Sequence, residues 1–207
     1  MSTATKPGSV FILDDDQSVR AAYQRVLTDA GYISFGFDSF EKLRSHMAYA
    51  QGPDDQICLL LDMKLPGTTG LEVQRWLLDQ KSRMAVVFVS GQSHIEEAIS
   101  AMRAGAVDFL LKPVGEDQLI AAVDGALNSA PTEEDESLPS GFESLTHRES
   151  QVMTLVVKGL RSQQIADELG ITLRTVKMHR GNIMNKVNVA NVAQLVAMYQ
   201  ERRYARA

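Results

Sequence analysis

The sequence predicts an α/β domain followed by a small all-α domain. Short apolar runs alternate with segments of helical period over the first 128 residues, and four of these runs end directly before a polar residue. Continuous apolar runs are typical of strands buried in a parallel sheet, and strict strand–helix alternation favours a right-handed, doubly wound sheet. Downstream of residue 141, the periodic segments are all helical.

Five strands and five helices account for the first domain. The strands are predicted at residues 10–13, 33–37, 58–61, 86–89 and 108–111. The helices are predicted at residues 17–30, 39–49, 71–81, 95–104 and 116–127, with Asp16 as the cap of the first. Gly36 interrupts the second strand, which is also more polar than the others, so we expect this strand at the sheet edge. Five βα units of this size favour a flavodoxin-like strand order.

An acidic linker is predicted between the two domains. Residues 129–141 are polar, contain two prolines and carry four consecutive acidic residues at 133–136, a composition typical of extended linkers. The chain is therefore expected to form one domain at residues 8–128 and another at residues 142–207. Four helices are predicted in the second domain, at residues 146–158, 162–169, 172–187 and 192–203.

The two parts of the chain differ in charge. Residues 1–139 contain 11 basic and 21 acidic residues, a net charge of −10. Residues 140–207 contain 10 basic and 5 acidic residues, a net charge of +5. A basic domain is a candidate for a polyanionic partner such as nucleic acid.

Composition argues against several classes of protein. A hydrophobic fraction of 44% and a charged fraction of 23% are ordinary for a soluble globular protein, and no segment approaches the roughly 18 apolar residues of a membrane span. The polar first nine residues predict no signal peptide, and the single Cys58 cannot form an intrachain disulfide. We therefore expect a cytoplasmic protein without membrane contact. His147 and His179 are expected to be structural, because no cysteine accompanies them to complete a metal site.

Carboxylate, hydroxyl and ammonium groups follow four of the predicted strands. A predicted strand ends at each of these groups, which are Asp14 with Asp15, Asp62, Ser90 and Lys112. Ligands of parallel sheets bind outside the carboxyl ends of the strands. Three carboxylates supply the oxygen ligands that Mg²⁺ prefers. The cation would offset their repulsion and leave Asp62 free to attack phosphorus. Lys112 is expected to stabilise charge on the transferred group, and the Ser90 hydroxyl to bond a phosphoryl oxygen.

Residues 162–172 have the pattern of a helix-turn-helix, because a helix, a glycine turn and a new N-cap at Thr172 follow one another. On the next helix, the residues expected to pack inward are Val176, Ile183 and Val187. The opposite face consists of Arg174, Met178, Gly181 and Asn185, flanked by Lys177 and Asn182. Such a face suits the major groove of DNA, because it combines charge, amide groups and little bulk.

Four motifs occur in order along the first domain. They are Leu13-Asp14-Asp15-Asp16, the segment LDMKLPGTTG at residues 61–70, Ser90, and Lys112-Pro113. Together they resemble the receiver domain of two-component response regulators, over residues 8–128. The resemblance implies that Asp62 is the phosphoacceptor and that Mg²⁺ is held by Asp14, Asp15, Asp62 and the main-chain carbonyl of Lys64. It also implies a phosphorylation switch formed by Ser90 and Phe109, and a cis Lys112–Pro113 peptide.

The second domain carries the segment LTHRESQV at residues 145–152, Gly159-Leu160, and the segment TVKMHR at residues 175–180. These motifs resemble the four-helix output domain of NarL/FixJ (LuxR-type) regulators, over residues 142–203. The resemblance implies that Lys177 and Met178 reach base edges. It implies that phosphates are held by Arg161, Ser162, Arg174 and Thr175. Asn182, beside this face, is a further candidate DNA contact.

The two resemblances imply a response regulator that catalyses only its own phosphorylation and dephosphorylation. The implied partners are a sensor histidine kinase, double-stranded DNA, RNA polymerase and, after phosphorylation, a second copy of the chain paired through residues 95–110. Two rival classes have different requirements. A phosphohydrolase with an aspartyl nucleophile usually has a second acid two residues later, where this chain has Lys64. An autoinducer-binding transcription factor should have an apolar ligand cavity in place of the acidic pocket.

Overall fold

The computed structural model describes residues 6–49, 57–91, 95–128, 142 and 144–204 of the 207-residue chain. The chain divides into two compact units, Met1–Asn128 and Ser129–Ala207. The predicted linker, residues 129–141, lies outside the described residues. No helix in the described ranges has the length and apolar character needed to cross a membrane.

The first unit is built on a five-stranded parallel sheet. Its strands are β1 (Ser9–Leu13), β2 (Ile33–Phe37), β3 (Ile57–Asp62), β6 (Ala85–Ser90) and β7 (Asp108–Leu111). They lie in the order β2-β1-β3-β6-β7, which confirms the flavodoxin-like order with β2 at one edge. Two further strands, β4 (Lys64–Leu65) and β5 (Thr68–Thr69), form a short antiparallel hairpin that was not predicted.

Helices follow the strands of the sheet in the first unit. They are α1 (Gln17–Asp29), α2 (Phe40–Tyr49), α3 (Gly70–Asp79), α4 (Ile95–Arg103) and α5 (Glu116–Leu127). Asp16 caps α1, as predicted, by accepting hydrogen bonds from the backbone N–H groups of Ser18 and Val19. Thr69 and Glu72 form a reciprocal capping box that begins α3.

The register of the strands positions the candidate site. Most residues of β1 and β3 are buried, so these strands cannot shift along one another without exposing the core. Leu13 pairs with Leu61, and Asp62 pairs with Val89. Because parallel strands end at the same edge of a sheet, the polar residues that follow them meet at that edge.

The second unit is helical, as predicted. Its helices are α6 (His147–Val157), α7 (Ser162–Leu169), α8 (Leu173–Lys186) and α9 (Val192–Tyr204). Helix α7 ends at Gly170, whose φ of 62° lies in the left-handed region, and Thr172 caps α8. These features form the helix-turn-helix. The inward residues predicted for α8 are buried, namely Val176, Ile183 and Val187.

Candidate functional site

Three carboxylates lie together at the carboxyl edge of the sheet. Asp14 and Asp15 follow β1, and Asp62 is the last residue of β3. One carboxylate oxygen from each residue lies within 4.8 Å of the other two. Asp14 is 2% exposed, whereas Asp15 is exposed. Clustered hard oxygen donors of this kind fit a divalent cation.

The Lys112 ammonium joins two of these carboxylates. Its Nζ lies 2.7 Å from Asp14 Oδ2 and 2.6 Å from Asp62 Oδ2. Lys112 directly follows β7, and its backbone N–H donates to the Ser90 carbonyl at 2.8 Å. The Lys112–Pro113 peptide is cis, as the resemblance implied. The lysine therefore balances part of the negative charge of the cluster.

Burial and the pairing of opposite charges act in opposite directions on the pKa values of Asp62 and Lys112. Burial raises the pKa of Asp62 and the Asp14 charge adds to this, while Lys112 and the Lys64 backbone N–H oppose it. That N–H donates to Asp62 Oδ1 at 3.0 Å. Burial lowers the pKa of Lys112, but the hydrogen bonds and charges of Asp14 and Asp62 outweigh burial and leave it raised. Lys112 is therefore a cation at neutral pH.

The carboxylates border an open cavity of about 520 Å³. Its lining is Asp14, Asp15, Asp16, Asp62, Lys64, Leu65, Pro66, Ser90, Gly91 and Lys112. Ser90 ends β6 and is 2% exposed. Phe109, the other predicted switch residue, is buried in β7 and stacks on Phe88 with ring centroids 6.4 Å apart. The structure therefore brings the predicted acids, hydroxyl and lysine to one cavity and places Phe109 in the core of the sheet.

Two polar contacts near this edge were not predicted. The Arg20 guanidinium of α1 donates to the main-chain carbonyl of Asp14 at 2.7 Å, which ties the helix to the loop that carries the carboxylates. Asp38 also follows a strand, β2, and pairs with Lys42 of α2 at 2.6 Å. The position of Asp38 after an apolar run is visible in the sequence, whereas no local pattern marks Arg20.

The outward face of α8 carries exposed basic and polar residues. Arg174, Lys177, Gly181 and Asn185 are exposed, and Met178 is half-buried. At the start of α7, Arg161 is exposed, and the neighbouring Ser162 hydroxyl accepts a hydrogen bond from Arg180 of α8 at 2.8 Å. The helix-turn-helix therefore brings the start of α7 against α8.

Two of the predicted DNA contacts, Thr175 and Asn182, lie on a buried flank of α8 and not on its exposed face. Thr175 is 0% exposed, with its hydroxyl oxygen 2.7 Å from that of Thr172, and Asn182 is 7% exposed. Lys186, one turn after Asn182, pairs at 2.7 Å with the buried Glu149, which holds this end of α8 against α6. Helical period separates two opposite faces but does not reveal which flank a neighbouring helix covers.

The first unit is a parallel α/β domain with an acidic pocket at its strand ends, and the second unit contains a helix-turn-helix. This combination defines a regulator that joins a receiver to a DNA-binding domain. The family model of the response regulator receiver domain matches residues 10–124, and that of the luxR family of bacterial regulatory proteins matches residues 143–199. The chain therefore belongs to the response regulators with a LuxR-type DNA-binding domain. Such regulators are typically not classical enzymes; the receiver implies a histidine kinase partner, and the LuxR-type domain implies DNA binding.

Relatives match both units. The response regulator protein TodT of Pseudomonas putida is 36% identical over 194 residues, which are 90% of this chain and 83% of TodT. Nodulation protein W of Bradyrhizobium diazoefficiens is 36% identical over 206 residues, 94% of this chain and 86% of that protein. Among solved structures, full-length FixJ from B. japonicum is 28% identical with a TM-score of 0.56, covering 98% of this chain and 99% of FixJ. These matches confirm the resemblance to two-component response regulators.

Proposed function

We propose that this chain is a phosphorylation-dependent transcriptional regulator of a two-component system. Asp62 accepts a phosphoryl group from a sensor histidine kinase within a receiver domain at residues 8–128. Residues 129–141 are the linker, and residues 142–207 bind promoter DNA in the cytoplasm. One observation carries the proposal, namely that Asp62 lies 2.6 Å from the Lys112 ammonium and within 4.8 Å of two further carboxylates.

The phosphoryl transfer uses groups that meet at the sheet edge. A carboxylate oxygen of Asp62 attacks phosphorus, so that an O–P bond forms while the P–N bond to the kinase histidine breaks. The Lys112 ammonium contacts the transferred phosphoryl oxygens, and the Ser90 hydroxyl donates to one of them. The residues that hold Mg²⁺ are Asp14, Asp15, Asp62 and, through its main-chain carbonyl, Lys64. When bound, Mg²⁺ supplies positive charge that offsets repulsion between the carboxylates and the phosphoryl group.

The response follows from the charge added to Asp62. A phosphoryl group adds about −1.5 to −2 charges at neutral pH. This charge draws the Ser90 hydroxyl and the Lys112 ammonium towards Asp62, and the Phe109 side chain turns with them. The surface at residues 95–110 then rearranges and pairs two receivers into a homodimer. The paired output domains bind half-sites about one helical turn apart and act on RNA polymerase.

The exposed face of α8 supplies the DNA contacts. Lys177 and Met178 reach base edges, and phosphates are held by Arg161, Ser162 and Arg174. The net charge of +5 over residues 140–207 supports binding to a polyanion. Thr175 and Asn182 act from the buried flank, where they fix the position of this face.

The test compares wild type with Asp62→Asn. Both proteins are incubated with acetyl phosphate and Mg²⁺, and phosphorylated protein is resolved on a phosphate-affinity gel. Each protein is then titrated against genomic DNA fragments that the wild-type protein recovers from its source genome. Phosphorylation should fall at least about a thousandfold in Asp62→Asn, because the nucleophile is gone. Asp38→Asn is the matched control, since Asp38 also follows a strand but pairs with Lys42 at the surface.

The outcomes separate this function from its rivals. Phosphorylation of wild type and of Asp38→Asn, with tighter DNA binding only after phosphorylation, supports the proposal. Undiminished phosphorylation of Asp62→Asn overturns it. A phosphohydrolase would instead release phosphate without any tightening of DNA binding, and an autoinducer-binding factor would bind DNA equally well with and without the phosphodonor.

A further inference from the structure

Gly181 stands in the interior of α8, on its exposed face. Glycine destabilises a helix interior relative to alanine, because it loses more conformational freedom on folding. No described neighbour requires this glycine, since among the described residues an added Cβ would meet no heavy atom within 4 Å outside the helix's own backbone, and Gly181 has no positive φ. Gly70 shows the contrast, because there an added Cβ would lie 2.6 Å from the carbonyl oxygen of Asp62.

Glycine inside a helix can also serve as a hinge, but the contacts on either side of Gly181 argue against this role. The preceding residue, Arg180, donates to the Ser162 hydroxyl at 2.8 Å, and Lys186 pairs with Glu149 at 2.7 Å. The following residue, Asn182, is 7% exposed. Because α8 is a continuous helix over Leu173–Lys186 and is held to both α7 and α6, the glycine does not serve bending.

The neighbours of Gly181 on the helix surface are the residues proposed to read DNA. Lys177 lies four residues before it and Met178 three residues before it, so both are adjacent to it on the helix surface. Resting on the proposed function, we infer that Gly181 is where the α8 backbone comes closest to the base-pair edges in the major groove. The missing side chain lets the helix lie deep enough for Lys177 and Met178 to reach the bases. Gly181 is then a positioning residue for sequence recognition.

The substitution Gly181→Ala tests this inference, because its effects on stability and on recognition should have opposite signs. Full-length protein activated with beryllofluoride and Mg²⁺ is titrated against two duplexes of equal length. One duplex is recovered by wild type from a randomised library, and the other is its scrambled sequence. Affinity for the recovered duplex should fall about tenfold, as expected when one base contact is lost, while affinity for the scrambled duplex stays within about twofold because phosphate contacts dominate there. The thermal midpoint of Gly181→Ala should rise above that of wild type.

Gly115→Ala is the matched control. Gly115 is also exposed, and an added Cβ there would likewise meet no heavy atom of the described residues within 4 Å, but it lies at the start of α5 in the first unit. It should change neither affinity. The inference fails if Gly181→Ala binds the recovered duplex as tightly as wild type, if both duplexes are weakened equally, or if the thermal midpoint falls. If activated wild type recovers no duplex from the library, the proposed function fails.

Discussion

The acidic pocket of the first unit and the exposed face of α8 in the second unit are specified in different ways. The pocket takes side chains from the ends of four strands, and sheet register places Lys112 within 2.7 Å of both Asp14 and Asp62. The face of α8 comes from one helix, and the residues that belong to it depend on which flank the neighbouring helices cover. Strand ends therefore specify the first site, whereas packing behind the helix specifies the second.

After Asp62→Asn, the largest effect is expected at the pocket, from Lys112→Met. Phosphorylation by acetyl phosphate should slow about a hundredfold, because a group that stabilises the transferred charge is lost. Affinity for Mg²⁺ should rise, since the ammonium lies within 2.7 Å of two carboxylates that we assign to the cation. Phosphate-affinity gels measure the first quantity, and isothermal titration calorimetry measures the second.

Lys42→Met is the matched control for this variant. Lys42 also pairs with an aspartate that follows a strand, Asp38, at 2.6 Å, but this pair is exposed. The control should change neither phosphorylation nor Mg²⁺ affinity. Weaker binding of Mg²⁺ by Lys112→Met would mean that the lysine supports the cation site and does not compete for it.

The second prediction uses a motif that occurs in both units. Capping boxes formed by Thr69 with Glu72 and by Thr146 with Glu149 begin α3 and α6. Glu72 is exposed, whereas Glu149 is 0% exposed and pairs with Lys186, whose side chain is 26% exposed. Glu149→Gln should lower the free energy of unfolding of the second unit by about 2 kcal/mol, less than for a fully buried pair because Lys186 reaches solvent. Urea unfolding followed by circular dichroism measures this change.

Glu72→Gln is the exposed counterpart and should cost less stability than Glu149→Gln. The backbone N–H of Thr69 and neighbouring hydroxyl groups hold the pKa of Glu72 below its ordinary value. The stability from Glu72 is therefore present above that ordinary pKa and is lost as the pH falls through the lowered pKa. The difference between wild type and Glu72→Gln should disappear in acid. Equal losses from the two variants at neutral pH would mean that burial does not set the size of the effect.

The third prediction concerns the exposed face of α8. Lys177→Ala should weaken binding to the DNA recovered by wild type about tenfold and relax the preference for that sequence, while phosphorylation of Asp62 stays unchanged. Fluorescence anisotropy at one fixed salt concentration measures the affinity. Lys158→Ala removes another exposed cation, at the end of α6, and should change affinity no more than about twofold. Equal losses in the two variants would point to overall charge and not to this face.

Sequence patterns predict the sheet better than they predict long-range neighbours. Four strands of the sheet are local apolar runs and β2 is a more polar one, so all five were predicted, and strand ends alone located the pocket acids and Lys112. The β4–β5 hairpin was missed because two-residue strands have no measurable period. The pair between Glu149 and Lys186 spans 37 residues and depends on how α6 packs against α8. For the same reason, the sequence did not reveal that Thr175 and Asn182, two of the predicted DNA contacts, are buried.

The smallest expected effect therefore tests that buried flank. Thr175→Val keeps the shape of the side chain but removes the hydroxyl whose oxygen lies 2.7 Å from that of the α8 cap, Thr172. The free energy of unfolding should fall by about 1 kcal/mol, as for the loss of one hydrogen bond, while DNA affinity of the folded protein stays within about twofold of wild type. Thr175→Ser retains the hydroxyl and serves as the control. If Thr175→Val lost as much affinity as Lys177→Ala without losing stability, the Thr175 side chain would have to reach DNA, and α8 would have to turn its buried flank outward on binding.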